Sequence, residues 1–314
     1  MTSISQMDIY NKIAAIKKTI LRHPNYDIAL ETINETFRMR KSAGVCENLF
    51  CIGPSGTGKS TLKKQLKAKH PPVEMTDRVL RPFLSCDTPS KPTIGNMAEE
   101  LLQEMGDPNY AKGTVAHKTN RVSYLLDELD VQMVILDEMQ HFVDHGNKRS
   151  AAEVSDWLKR LIDKSNACFV LMGLERAEDI LRANEQLRRR FSRQIKLPPF
   201  SIERKSDAAT FARVIGQLDS QIGLANRIEL TPNLVKQIHY ATNGVMDHVV
   251  KLMLGAFALC NKSGVNTITR QVLQQAFTNN IWDDGVGKMN PFSDKFCWLR
   301  LDKPGMPFYN INHQ

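Results

Sequence analysis

The chain has 314 residues with 42% hydrophobic and 24% charged positions and a net charge of +8, a balance that allows a sizeable buried core and points to an anionic partner. No stretch approaches the roughly 18 apolar residues of a membrane span, and no apolar signal core opens the chain, so the sequence argues against a membrane location and for the cytoplasm. Six cysteines without a CxxC pair read as reduced thiols and exclude a regular disulfide or zinc framework.

In chain order, Ile9, Ile13, Ile16 and Ile20 fall on one helical face that stops near His23-Pro24. A second helix is predicted from about Asp27 to Lys41, with Leu30, Ile33 and Phe37 inward and Gly44 past its end. Residues 1–46 are therefore expected to pack as helices on the core that follows. From 47 to 199 strand and helix patterns alternate, which predicts an α/β domain with a parallel five-stranded sheet. Its strands are expected at 49–52, 79–86, 131–137, 167–173 and 193–197. One helix begins near Thr93, and a long loop from Gly106 to Thr119 precedes another that carries Val122, Leu125, Leu126 and Leu129. A further helix is expected from about Arg176 to the run Leu187-Arg-Arg-Arg-Phe191. Pro198-Pro199 closes the pattern, and residues 200–281 read as a small helical domain with Thr231 and Thr269 as N-caps and Pro232 in a first turn. Residues 282–314, with Trp282, Phe292, Phe296, Phe308 and Tyr309, read either as a strap on the chain itself or as a partner-docking segment.

Two motifs carry chemistry. Gly53, Pro54, Ser55, Gly56, Thr57, Gly58, Lys59 and Ser60 fill the pattern GxxxxGK[ST] between a short apolar strand and a helix that continues through Thr61. Glycines at these places let backbone N–H groups wrap a polyphosphate, Lys59 supplies charge to the outer phosphates, and the Ser60 hydroxyl suits Mg²⁺. Downstream, Met133-Val-Ile-Leu136 ends in Asp137-Glu138. A buried parallel strand would deliver these acids to its carboxyl end, Asp137 to hold hydrated Mg²⁺ and Glu138 to polarise the attacking water. Gln140 and His141 follow closely, and either orient Glu138, sense the γ-phosphate or simply close the strand exit. The pattern predicts ATP and Mg²⁺ as ligands.

Arg188, Arg189 and Arg190 spread around a helix, so they cannot all serve one site. Arg190 or Arg189 is the candidate to reach a neighbouring subunit's triphosphate and stabilise charge during phosphoryl transfer, while a basic helix end that complements the dipole is the plain reading.

The phosphate loop, the strand ending Leu136-Asp-Glu-Met-Gln-His141, the arginine run and the helical domain together resemble an AAA+ ATPase. More narrowly, residues 135–142, the segment Cys86-Asp-Thr-Pro-Ser-Lys-Pro-Thr93 and residues 169–174 resemble the TniB/TnsC family of transposition regulators, found in mobile elements that include CRISPR-associated transposons. The resemblance covers about residues 5–280. It implies an ATPase that assembles as a ring or helical homo-oligomer on double-stranded DNA, without base readout, and links a TniQ-like target selector to a transposase. It places nucleotide on residues 53–61, Mg²⁺ and water on Asp137 and Glu138, and an arginine in trans at 189 or 190. It directs DNA to the region between the second and third strands, with Lys91, Lys112, Lys118 and Arg121 as candidates, joined by Lys148 and Arg149 in the loop after the acids. Two positions depart from the wider AAA+ pattern. The fourth strand ends Leu171-Met-Gly-Leu174 where many members carry a polar γ-phosphate sensor, and Gly244-Val-Met-Asp247-His248 has aspartate in place of the GxxR arginine, with His248 the nearest substitute. A helicase- or clamp-loader-like ATPase, or a nucleotide-gated adaptor with little hydrolysis, shares nearly all of these features.

Overall fold

The computed structural model describes residues 6–144 and 148–309. They form two compact units, Pro24–Pro198 and a second made of the residues up to His23 together with those from Pro199 onward. The chain opens with α1 (Gln6–Lys18) and α2 (Pro24–Ala43), followed by β1 (Leu49–Ile52), α3 (Lys59–Lys69), the short strands β2 (Val73–Glu74) and β3 (Val79–Leu80), and β4 (Phe83–Asp87). Next come α4 (Ile94–Glu104), α5 (Val115–Glu128), β5 (Met133–Asp137), α6 (His141–Asp144), α7 (Lys148–Asp163) and β6 (Cys168–Gly173). A 3₁₀ turn (Glu175–Ala177), α8 (Glu178–Arg182), α9 (Glu185–Arg190) and β7 (Arg193–Lys196) complete the first unit.

Five strands form one sheet in the order β4-β5-β6-β1-β7, and every pair in it is parallel. Strands β1, β5 and β6 are buried along their whole length, which is why each reads as an unbroken apolar run rather than an alternating one. Helices cover the sheet through spaced apolar faces. Met97, Leu101 and Leu102 of α4, Val122 and Leu126 of α5, and Trp157, Leu158 and Leu161 of α7 meet in one core with Val134, Leu136, Phe169 and Leu171.

The strand expected over 79–86 is two strands. Pro82 has no N–H to give a ladder, so β3 pairs outside the main sheet with β2, and the chain enters the sheet only at Phe83. The long loop before α5 is shorter than expected, because the Thr114 side chain accepts from His117 N and starts the helix there. The helix expected from Arg176 to Arg190 is broken at Asn184, whose side chain caps α9 by accepting from Gln186 N at 2.9 Å and Leu187 N at 3.0 Å. Lys148 begins α7 rather than standing in a loop.

The second unit holds α10 (Lys205–Ile222), α11 (Pro232–Thr242), α12 (Met246–Ser263) and α13 (Arg270–Asn280). Thr231 and Thr269 cap α11 and α13 from their side chains, and Gly223 and Gly264 end α10 and α12 in the left-handed conformation. The grouping of residues 1–46 on the nucleotide core needs correction. Helix α2 lies against β6 and β7, but α1 packs on α10 and α12, with Ile16 buried among Phe211, Ile215, Val249 and Phe257. An amphipathic stripe states that a face must be covered and not by what.

The tail also belongs to this unit. Phe292, Phe296 and Leu301 are buried in the helical core, Asn290 Nδ2 donates to Gln274 O at 3.0 Å and Gly285 O at 2.8 Å, and Arg270 Nε donates to Phe292 O at 2.7 Å. The docking expectation for 282–314 rested on aromatics left without cover, and most of them are covered by the chain itself. Among the described residues no single helix is long and apolar enough to cross a membrane. Phe292→Ala should cost the helical unit about 3–4 kcal/mol, read as a lower urea midpoint; an unchanged midpoint would show that the tail contributes nothing to this core.

Candidate functional site

The loop between β1 and α3 is shaped by its glycines. A Cβ at Gly53 would stand 2.4 Å from the Leu197 carbonyl oxygen, and Gly56 and Gly58 have φ of +77° and +106°, so larger residues would force this turn to change. Lys59 is buried at 6% exposure and donates to Gly53 O at 2.6 Å and Pro54 O at 3.0 Å. Burial holds its ammonium below the usual lysine range, opposed by the nearby charges of Asp137 and Glu138. Ser55, Ser60 and Thr61 are exposed around the loop and the first turn of α3, whose free N–H groups and dipole favour an anion.

Asp137, at 1% exposure, ends β5 beside Asp87 at the end of β4. Its main-chain oxygen accepts from Thr88 Oγ1 at 2.8 Å, and its Oδ1 accepts from Glu138 N at 2.8 Å. The other carboxylate oxygen meets Lys63 Nζ at 2.9 Å, and the same ammonium pairs with Asp87. Burial opposes the charge of Lys63, but the bond to Asp87 and the field of Asp137 outweigh it and raise its pKa. Glu138 has φ +57°, a left-handed backbone uncommon for a residue with a side chain. Its carboxylate accepts from Gln140 Nε2, while Gln140 Oε1 accepts from Leu174 N at 3.1 Å. A cavity of about 510 Å³ opens over these groups, lined by Ser60, Lys63, Asp87, Glu100, Asp137 and Glu138 among others.

The site fits a hydrated Mg²⁺ held jointly with phosphate. Asp137 Oδ2 is buried with no aligned hydrogen-bond donor, only the Lys63 charge, and the Ser60 hydroxyl stands exposed on the facing helix. Among the described residues no cluster of His, Cys, Asp or Glu could hold a metal alone, in keeping with an ion that retains waters and phosphate oxygens as ligands.

Several residues of the site were not singled out from sequence. Lys63 lies one turn after Lys59, and Asp87 ends the strand beside Asp137, so a basic residue at that helical spacing and an acid at the neighbouring strand end were the available signals. Arg176 forms a two-pronged pair with Asp144, its Nη2 donating to Asp144 Oδ2 at 2.7 Å. That hydrogen bond, against some burial, raises its pKa, with Glu138 close enough to add to the effect. Arg189 is exposed and paired along α9 with Glu185 at 2.7 Å, whereas Arg190 is half-buried and bound to Asp163 and to Gln186 O. Arg188 is exposed and, among the described residues, has no ion pair.

The DNA candidates divide. Lys91 and Lys112 are exposed. Lys118 is buried and paired with Glu99, and Arg121 is engaged by Asp107, Asn109 O at 3.1 Å and Lys112 O at 3.2 Å. Lys118 thus ties α5 to α4 and Arg121 holds the loop before α5, so both cations are already engaged within the chain. Lys148 and Arg149 have side chains outside the described residues. His248 packs within the helical unit, its Nδ1 bonded to Thr242 O at 3.2 Å and its ring against Phe308, and burial lowers its pKa.

A family model described as "Bacterial TniB protein" matches residues 12–202, more than half of the chain. A search of curated proteins finds no match. Among solved structures, the ORC2 protein of Aeropyrum pernix in ADPNP and ADP complexes is similar at 18% identity and a TM-score of 0.59, covering 82% of this chain and 68% of its own. The ORC1 protein of Aeropyrum pernix in complex with DNA aligns at 13% identity and TM-score 0.57, over 82% of this chain and 65% of its own. Cdc6p of Pyrobaculum aerophilum aligns at 14% identity and TM-score 0.61, over 81% and 67%. This chain thus spans about two thirds of each neighbour's length. At these identities the likeness is one of fold: a P-loop AAA+ core with a parallel five-stranded sheet and a helical C-terminal domain.

Lys63→Met would leave Asp137 buried without its cation. Stability in magnesium-free buffer is expected to fall by about 3 kcal/mol, with much of the loss recovered when Mg²⁺ and a slowly hydrolysed ATP analogue are added. Thermal unfolding in both buffers checks this; an equal loss in each would show that Lys63 and the metal do not share Asp137.

Proposed function

This chain belongs to the family of bacterial TniB proteins, and from that premise we propose that it is an ATP-hydrolysing regulator of DNA transposition that assembles on duplex DNA. In this reading it connects a TniQ-like target selector to a transposase and works in the cytoplasm. The observation that carries the reading is that Ser60, the last residue of the phosphate-loop motif, and Asp137 and Glu138 line one cavity, in a chain of this family. The ORC2 neighbour is described with ADPNP and ADP and the ORC1 neighbour with DNA, and both ligand classes are taken over here as part of the proposal.

The chemistry follows from the side chains. Backbone N–H groups of residues 53–61 bind the triphosphate, and Lys59 exchanges the carbonyls of Gly53 and Pro54 for phosphate oxygens. Mg²⁺, held by Ser60 and Asp137, would neutralise charge on the outer phosphates. Glu138 orients and deprotonates the attacking water. A neighbouring subunit supplies an arginine. Arg189 suits that task better than Arg190, since its exposed bond to Glu185 is worth only a few tenths of a kcal/mol and is easily given up. Hydrolysis then depends on assembly, and DNA is held through its phosphates by Lys91, Lys112 and other exposed basic groups.

Electron microscopy of the chain with duplex DNA and a slowly hydrolysed ATP analogue should show rings or filaments; a lone subunit under those conditions would defeat the reading. Glu138→Gln is expected to lower ATP turnover about 10²–10⁴-fold and to leave a long-lived ATP-bound assembly, where a nucleotide-gated adaptor would behave as before. Replacing Lys91 and Lys112 together with Glu should weaken DNA binding for all sequences and reduce its salt slope by about 2. Binding titrations across salt concentrations check this, and an unaltered slope would remove both residues from the interface.

A further inference from the structure

The end of β6 carries no polar side chain toward the nucleotide, yet its backbone is joined to the general base through one residue. Gln140 is almost fully buried at 3% exposure. Its carboxamide donates to Glu138 Oε2 and accepts from Leu174 N at 3.1 Å, just past the last residue of β6. A carboxamide is the group such a bridge requires, because it offers a donor to a carboxylate and an acceptor to an N–H at once. An ionised glutamate would keep the second contact and repel the first, and an apolar residue would make neither.

Three further features hold this bridge in place. Met139 N donates to Met172 O at 3.1 Å, which fastens the turn after β5 onto β6. Gly173 leaves the room, since a Cβ there would lie 2.8 Å from Gln140 Oε1. Glu138 itself has the left-handed φ of +57° that turns its side chain out of the strand register, a conformation that needs support from its surroundings.

We propose that Gln140 is the positioning residue for Glu138 and couples it to the carboxyl end of β6, taking over through the Leu174 N–H the link that a polar side chain on that strand would provide. This rests on the reading of the chain as an ATP hydrolase with Glu138 as its base. The geometry of the base, rather than the binding of nucleotide, depends on it, so its loss falls on turnover and spares affinity.

The test compares Gln140→Ala, Gln140→Glu and Gly173→Ala with the wild type as full chains on duplex DNA, each first shown to fold by thermal unfolding. Gln140→Ala is expected to lower kcat for ATP about 30- to 100-fold, with KM and the affinity for a fluorescent ATP analogue within about twofold of wild type. Gln140→Glu should lose more than Gln140→Ala, because it adds a charge against Glu138. Gly173→Ala, whose Cβ would meet the Gln140 amide while the residue 173 carbonyl can still accept from Gly53 N, should reproduce the kcat loss by displacing the amide. Variants that turn over at the wild-type rate, or that lose kcat and nucleotide affinity together, overturn the positioning role. A wild type with no turnover defeats the hydrolase reading itself, and the role of Gln140 with it.

Discussion

The arrangement depends on how buried carboxylate charge is balanced at the carboxyl edge of the sheet. Asp137, itself almost fully buried, ends a strand at the floor of the cavity, with the exposed Asp87 and the half-buried Glu138 beside it. An ionised group in such a place is retained only if paired, since its isolated burial would cost several kcal/mol or shift it to the neutral form. Lys63 answers one side of this charge and the Glu138 N–H the other. Lys59, held on main-chain carbonyls of its own loop, adds a second buried cation within reach of the same acids. The phosphate loop and the β5 acids are thus one electrostatic unit, joined through the first two turns of α3.

That unit explains why α3 is so basic on the face it presents here. Lys59, Lys63 and Lys67 recur every fourth residue and so lie along one side of the helix. Lys67 goes on to Glu104 of α4, an exposed pair worth little on its own. The gradient runs from a wet ion pair at the far end to a dry one at Asp137 and then to Lys59 at the loop. In the proposed function magnesium and triphosphate would bring net negative charge to this row, which Lys59 meets by leaving the carbonyls of its own loop.

The parts legible in the sequence are those whose physics is local. Gly53, Gly56 and Gly58 mark close approach and positive φ, Thr231 and Thr269 mark helix starts, and the all-apolar runs of β1, β5 and β6 mark strands buried on both faces. Where partners lie far apart in the chain, the trace disappears. Lys118 and Arg121 read as free cations because Glu99 and Asp107 sit outside their helix, and Lys63 gives no sign that it serves acids on two strands. Pro82 and Asn184 are different, because both carry a local signal of their own. A proline in a strand pattern and an Asn-Glu start within a helix pattern would each have placed the break.

The missing polar residue at the end of β6 illustrates how a structural requirement can be met from elsewhere. With Gly173 in the strand's last position there is no side chain to project, and the space a side chain would fill is taken by the Gln140 amide. The substitution is reciprocal: a larger residue at 173 would exclude the amide, and a shorter residue at 140 would leave the Leu174 N–H and Glu138 without their common partner. Residues 140 and 173 therefore constrain each other, and residue 173 is also tied to the phosphate loop, its carbonyl accepting from Gly53 N at 3.3 Å. In the proposed mechanism this pair holds Glu138 in place relative to β6, while Lys59 exchanges the carbonyls of its own loop for phosphate oxygens.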